Sequence, residues 1–158
     1  MEMSFVDEYD IIQVIEGLIA AIFDKVLDKK ITTPFPRLSY KEAMTSYGCD
    51  APDLRFGMKI KDVSDIVQKS DFKVFSDTIK SGGQVRGINA SGCGNFSRKD
   101  IDDLTAFVGQ FGAKGLAWFK VEERGLPSSI AKFFSSETLE KLQRHMDAKK
   151  GDLLLFVA

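Results

Sequence analysis

The longest regular pattern in the chain lies between Ile11 and Leu27. Ile12, Ile15, Ile19, Ile22, Phe23 and Val26 recur at the three- and four-residue steps of an α-helix. Ile11, Leu18, Ala20, Ala21 and Leu27 widen that stripe, so the helix needs cover on more than one side. Asp7 is placed to cap its start, Glu8 and Asp10 suit the positive end of its dipole, and Lys29 and Lys30 close the other end. Before the helix, residues 2–6 alternate as a short strand would. No neighbouring stretch supplies a strand layer for this helix. The pair therefore reads as part of a larger sheet whose other strands lie elsewhere.

The pattern shortens after Lys30. Pro34, Pro36 and Pro52 favour extended backbone around a brief helix capped by Ser39, with Glu42 reaching back in a capping box. Ala43, Met44 and Tyr47 form its apolar face and Gly48 ends it, while Asp50, Asp53 and Arg55 have little reason to be buried. From about Met58 the chain reads as a mixed α/β region. Asp62 caps a helical turn carrying Val63, Ile66 and Val67. Residues 72–75 and 84–89 read as strands joined at Ser81-Gly82-Gly83, with a bulge at Gly87 because Val85 and Ile88 would otherwise face opposite ways. Ser97 and Asp100 start a helix lined by Ile101, Leu104, Phe107, Val108 and Phe111 and stopped by Gly112.

Residues 116–121 form the next strand, with Trp118 and Lys120 on one face and Ala117, Phe119 and Val121 on the other. A turn at 130–134 precedes a helix capped by Ser136 that presents Leu139, Leu142 and Met146. The unbroken apolar run 153–157 is that of an internal strand. The sum is an α+β region of about four mostly antiparallel strands with helices on one face. Its expected core holds Phe107, Phe111, Phe119, Leu142, Leu155 and Phe156. The chain divides by pattern into 1–57 and 58–158.

Composition narrows the chemistry. With 44% hydrophobic and 28% charged residues, the chain is that of a soluble globular protein. A formal net charge of −1 provides no global attraction for nucleic acid, so any such contact must come from a local patch. Cys49 and Cys93 make no disulfide framework and suit a reducing cytosol. The long apolar stretch is interrupted by Gln13, Glu16, Asp24 and Lys25, short of the roughly 18 apolar residues of a membrane span. His145 is the only histidine, and no zinc-ligand spacing is present, so no metal site is expected. Gly82-Gly83 and Gly92-Cys93-Gly94 read as turns, outside either phosphate-loop pattern.

Specific words in the sequence go further. FPRLSYKEAM (35–44) and YGCDAPDLR (47–55) resemble the segment after class II motif 2 in bacterial-type aspartyl-tRNA synthetases, with Ala51 where that family carries Lys. EMSFV and the helix after it resemble the preceding strand and helix, with Glu2 at the glutamate position near the aminoacyl-adenylate site. Downstream, Arg86-Gly87, Ser97-Arg98-Lys99, GAKGLAW (112–118), Lys120-Val121, Ile130-Ala131-Lys132-Phe133 and Gly151-Asp152 resemble the GAD insertion domain. That domain is shared by these synthetases and an amidotransferase subunit family. The order of the two resemblances is that of the synthetase.

The resemblance implies a parent that activates aspartate with ATP and Mg2+ and transfers it to aspartate-accepting tRNA. It implies a cytoplasmic homodimer with no membrane association. The motif 2 arginine and motifs 1 and 3 are absent, so the chain is expected to be an excised piece. It should hold no cofactor of its own and no complete catalytic set; only Glu2 borders the adenylate site. The insertion is expected near the tRNA acceptor arm, packed on the remainder of the catalytic domain. Its candidate tRNA contacts are Arg86, Arg98, Lys99, Lys114, Lys120 and Lys132. Two alternatives remain at this point: a structural spacer, or the GAD module of a tRNA-dependent amidotransferase subunit. EMSFV and FPRLSYKEAM speak against the amidotransferase.

Overall fold

Asp7 begins the amino-terminal helix as its sequence requires. In the computed structural model, which describes residues 2–158, the Asp7 carboxylate accepts the amides of Tyr9 (2.8 Å) and Asp10 (3.2 Å). The Asp10 carboxylate accepts the Asp7 amide in return, closing a capping box. Helix α1 spans Glu8–Leu27 and ends where Asp28 turns left-handed at φ 50°, so Lys29 and Lys30 lie beyond it. Its apolar stripe is open, with Ile11, Val14, Ile15, Leu18, Ile22 and Val26 all exposed. The buried side chain of α1 is instead Glu16, whose Oε1 accepts the Phe35 amide at 3.1 Å. The strand expected at 2–6 does not form. A strand exists only through a ladder partner, and the chain offers none here.

The chain divides into two compact units, one ending at Ser39 and one running Tyr40–Ala158. The second opens with α2 (Tyr40–Tyr47), which buries Ala43 and stops at Gly48 with φ 75°. It then builds a four-stranded antiparallel sheet in the order β1-β2-β4-β3. The strands are β1 (Lys61–Asp62), β2 (Arg86–Ala90), β3 (Ala117–Lys120) and β4 (Leu153–Val157). The apolar run 153–157 is internal as expected, paired with β2 from Val157↔Arg86 to Leu153↔Ala90 and with β3 from Phe156↔Ala117 to Leu153↔Lys120.

Both faces of β4 are buried. On one, Leu154 and Phe156 join Phe119, Val121, Phe75, Val67, Leu142 and Met146. Those residues come from the sheet and from α3 (Ser64–Val67), α4 (Lys73–Lys80) and α6 (Ser136–His145). Phe75 and Phe119 meet the Phe156 ring edge-on at 6.4 and 6.0 Å. On the other face, Leu153 and Leu155 pack with Ile88, Trp118, Ile101 and Leu104. The last two belong to α5 (Arg98–Gly109). Three helices thus share one face as expected, and α5 covers the other. An all-apolar internal strand requires both layers.

Four local expectations change. Residues 72–75 are not a strand: Phe72 precedes α4, and Phe72, Phe75 and Ile79 share its core-facing side. No bulge occurs at Gly87, which pairs in register with Lys61 and Phe156. Val85 precedes β2 and joins the first core while Ile88 joins the second, so their opposite directions need no correction by a bulge. Gly87 is glycine because a Cβ there would stand 2.2 Å from the Phe156 ring and 2.6 Å from the Leu155 carbonyl oxygen. Ser135, one residue before the expected Ser136, caps α6 by accepting the Thr138 amide.

Last, Phe107 and Phe111 are 55% and 77% exposed and stack edge-on at 5.2 Å, while Phe119, Leu142, Leu155 and Phe156 are buried. Ile101 and Leu104, nearer the start of α5, join the second core, and Phe107 and Phe111 lie outside it.

A carboxylate locks the start of β4. Asp152, 6% exposed, accepts the amides of Lys149 (2.8 Å) and Gly92 (2.9 Å) and the Asn89 side-chain amide (3.1 Å). Burial pushes its pKa up, but the three donors, with help from the Lys149 charge, outweigh burial and hold it below the ordinary carboxylate value. The β2–α5 connection is thereby tied to the turn before β4. Gly94 fits there because a Cβ would stand 2.7 Å from the Gly151 carbonyl oxygen.

The open α1 stripe predicts concentration-dependent self-association of the chain in sedimentation velocity. Ile15→Glu with Leu18→Glu should abolish it, and a wild-type monomer at every concentration would contradict it. In urea unfolding, Phe119→Ala should cost about 3–5 kcal/mol. Phe111→Ala should stay within about 0.5 kcal/mol, as expected of an exposed position.

Asp152→Asn, which swaps an acceptor for a donor, should destabilise the chain by about 1–3 kcal/mol at pH 7. Because the folded pKa is depressed, the wild-type contribution is full above the unfolded carboxylate value of about 3.9 and fades as pH falls through the folded one. The gap between wild type and variant should therefore narrow in unfolding titrations as the pH falls below about 3.9. A constant gap would refute the ionised role.

Candidate nucleic-acid interface

The six basic residues singled out by sequence all lie in the second unit, and the fold treats them differently. Lys120 faces inward along the sheet edge, its Nζ donating to the Phe96 carbonyl at 2.8 Å. That bond fastens the segment before α5 to β3. Arg86 opens β2, where its Nε donates to Gln84 at 3.0 Å and its charge helps lower the Asp62 pKa. For Asp62, burial acts upward and is outweighed first by the hydrogen bonds from Ser64. Lys132 sits on the 3-10 turn Ala131–Phe133 with its ammonium 5.2 Å from the Phe133 ring centroid.

Arg98 and Lys99 occupy the first turn of α5, both exposed. Ser97 caps that turn by accepting the Asp100 amide, and Asp100 accepts the Ser97 amide at 2.7 Å. The hydrogen bonds from Ser97 hold the Asp100 carboxyl below its usual value. The capping box thus satisfies the Ser97 and Asp100 amides from within the chain. Among the side chains, Arg98 pairs with Asp102 at 3.2 Å, an exposed pair of small energetic weight. Lys114 is exposed in the segment that follows the left-handed Gly112 (φ 89°).

Two of the six converge. Arg98 and Lys114 line one groove of about 640 Å³. Phe72 and Val74 of the α4 start, Leu116 and Trp118 of the β3 region, and Ile130 supply its apolar lining. Lys99 is next to Arg98 in the chain, while Arg86, Lys120 and Lys132 are not among the lining residues. The groove residues Phe72, Thr78, Ser128 and Ser129 are not among the candidates that sequence suggests. The helical spacing of Phe72, Phe75 and Ile79 is the signal that a strand reading of 72–75 passes over.

Glu2 is exposed in the first unit. Among the described residues, no three His, Cys, Asp or Glu side chains gather as metal ligands, and no helix is long and apolar enough to cross a membrane. Cys49 and Cys93 are unbridged.

Comparison with known proteins gives this geometry its context. The aspartate–tRNA(Asp/Asn) ligase of Desulfatibacillum aliphaticivorans is 54% identical across 100% of this chain, which covers 27% of that ligase. The aspartate–tRNA(Asp/Asn) ligase of Geotalea uraniireducens is 52% identical over 99% of the chain and 26% of its own length. The aspartate–tRNA ligase of Clostridium perfringens is 51% identical over 100% of the chain and 26% of its own. The chain thus spans about a quarter of the length of the curated relatives it matches. The GAD domain model matches residues 75–158, from Phe75 in α4 through the end of β4, and so takes in β2, α5, β3 and α6. The chain belongs to the GAD domain family.

Proposed function

We propose that this chain is the insertion region, with the adjoining catalytic-domain segment, of an aspartate–tRNA ligase. The observation that carries this reading is identity of 51–54% along the whole chain, including residues 1–57, to proteins bearing that name. A GAD module from an amidotransferase subunit would not be expected to share the amino-terminal part. The parent activates aspartate with ATP and Mg2+, transfers it to tRNA and works as a cytoplasmic homodimer. Of the residues around the adenylate site, this chain contributes Glu2, and the remainder of the ligase supplies the others. In this reading the chain binds and positions, and the rest of the ligase carries the chemistry.

Its role is to touch the acceptor arm through phosphates. Arg98, Lys99 and Lys114 are exposed cations on one module, whereas Lys120 is committed to the Phe96 carbonyl. Phosphate contacts orient a nucleic acid without reading its bases. With a net charge of −1 and few cations engaged, the contact is weak and fades quickly with salt.

Replacing Arg98, Lys99 and Lys114 together by Ala in the full-length ligase should raise the KM for tRNA roughly tenfold, a loss of about 1.4 kcal/mol. Aspartate-dependent pyrophosphate exchange should be unchanged, and the effect should be largest at low salt. Unchanged tRNA kinetics at every salt concentration would reject the contact and favour a spacer.

A further inference from the structure

We propose that the groove between the start of α4 and the β3 edge holds an unpaired nucleotide of the bound RNA. This rests on the RNA-contact reading above and adds a site to it. Strand β3 is the outer strand of the sheet, and the Ser128 hydroxyl donates to the Trp118 carbonyl at 2.7 Å, fixing the loop that forms the groove's far wall. The space of about 640 Å³ lies within the ordinary range for small-molecule sites and suits one nucleoside with its flanking phosphates.

The lining is divided by chemistry. Phe72, Leu116, Trp118 and Ile130 offer apolar and aromatic surface, Arg98 and Lys114 offer the charge, and no lining side chain is a carboxylate. Arg98 is held by Asp102 at 3.2 Å in an exposed pair that a phosphate can displace. Thr78 and Ser129 add hydroxyls.

A flat base over apolar and aromatic walls with cations beside it is how proteins hold single strands without regard to sequence. A base inside a duplex is stacked and paired, and cannot enter. An acidic peptide would match the charge but not the aromatic lining, so an RNA end or loop is the better fit.

Trp118 is the only tryptophan of the chain and lines the groove, so its indole N–H resonance reports occupancy. The 158-residue chain is titrated with a labelled single-stranded RNA hexamer, with a blunt RNA duplex carrying the same number of phosphates, and with an acidic peptide of equal charge. The hexamer should bind at least tenfold tighter than the duplex and shift the Trp118 indole. Arg98→Ala with Lys114→Ala should weaken the hexamer at least tenfold. The double replacement should also lower the log–log salt slope by about 1.4, or 0.7 for each phosphate left without its cation. An unshifted indole resonance in the ligand-free variant shows that it is folded.

Equal binding of hexamer and duplex with Trp118 unmoved would overturn the groove while leaving a plain phosphate contact in place. A peptide that shifts Trp118 as strongly as the hexamer would also overturn it. Hexamer binding in the groove together with unchanged tRNA kinetics of the triple variant would sink the acceptor-arm reading and not the groove.

Discussion

A strand with apolar side chains at every position cannot lie at the edge of a sheet or leave either face to water. Leu153, Leu154, Leu155 and Phe156 impose that constraint here. Placing β4 between β2 and β3 satisfies its backbone, and α5 on one side with α3, α4 and α6 on the other satisfies its side chains. At about 25 cal/mol per Å² of apolar surface, this burial dominates the stability of the unit. Gly87 follows from the same demand, because the Phe156 ring needs the space where a side chain would stand. So does the carboxylate of Asp152, which gathers three donors where the chain enters the strand. A buried charge there is tolerable only with such partners.

The candidate interface is a by-product of this arrangement. With β4 internal, β3 becomes an outer strand, and the chain on either side of it must close over an exposed edge. The 126–130 segment does so through Pro127, whose carbonyl accepts the Lys120 amide at 3.3 Å, and through Ser128. The start of α4 lies along the same groove, and α5, on the other face, brings Arg98 to its margin. The groove therefore stands on rigid elements, with Lys114 on the short connection between α5 and β3. A ligand bound there would meet a site already formed, and little ordering would be needed on the protein side.

Much of this was legible in the chain because local chemistry and fold agree. Asp7 with Asp10 and Ser97 with Asp100 announce helix starts, and both form full capping boxes. The alternation of Trp118 and Phe119 predicts two faces, and the structure places them in separate cores. The misread segments have separate causes. Where a second layer on the far side of the sheet is not foreseen, Val85 and Ile88 look contradictory and Gly87 looks like a bulge. The strand at 2–6 was legible only as a pattern, since a ladder depends on a partner that no local sequence reveals. Phe107 and Phe111 carry the helical stripe faithfully, yet stripe length says nothing of how far the core beneath extends. The candidate site was legible as a set of charges but not as a place, because the groove joins residues from five separate segments.

The six cations show why charge counted along a sequence is weak evidence for an interface. Lys120 has the same formal charge as Lys114, but its ammonium is used within the fold to hold the Phe96 carbonyl, at the cost of its reach into solvent. Arg86 acts on Asp62 across the β1–β2 pair. The α5 start favours an anion by its dipole, and Asp100 meets part of that demand by accepting the Ser97 amide. Of the six, Arg98, Lys99, Lys114 and Lys132 keep exposed charge, and a chain of net charge −1 has no broad surface to reinforce them. Screening at physiological salt acts over about 8 Å, so such a small cluster works only on a ligand already held close by other means. In a longer protein those means would be its remaining contacts with the RNA, and this module would refine position more than it supplies affinity.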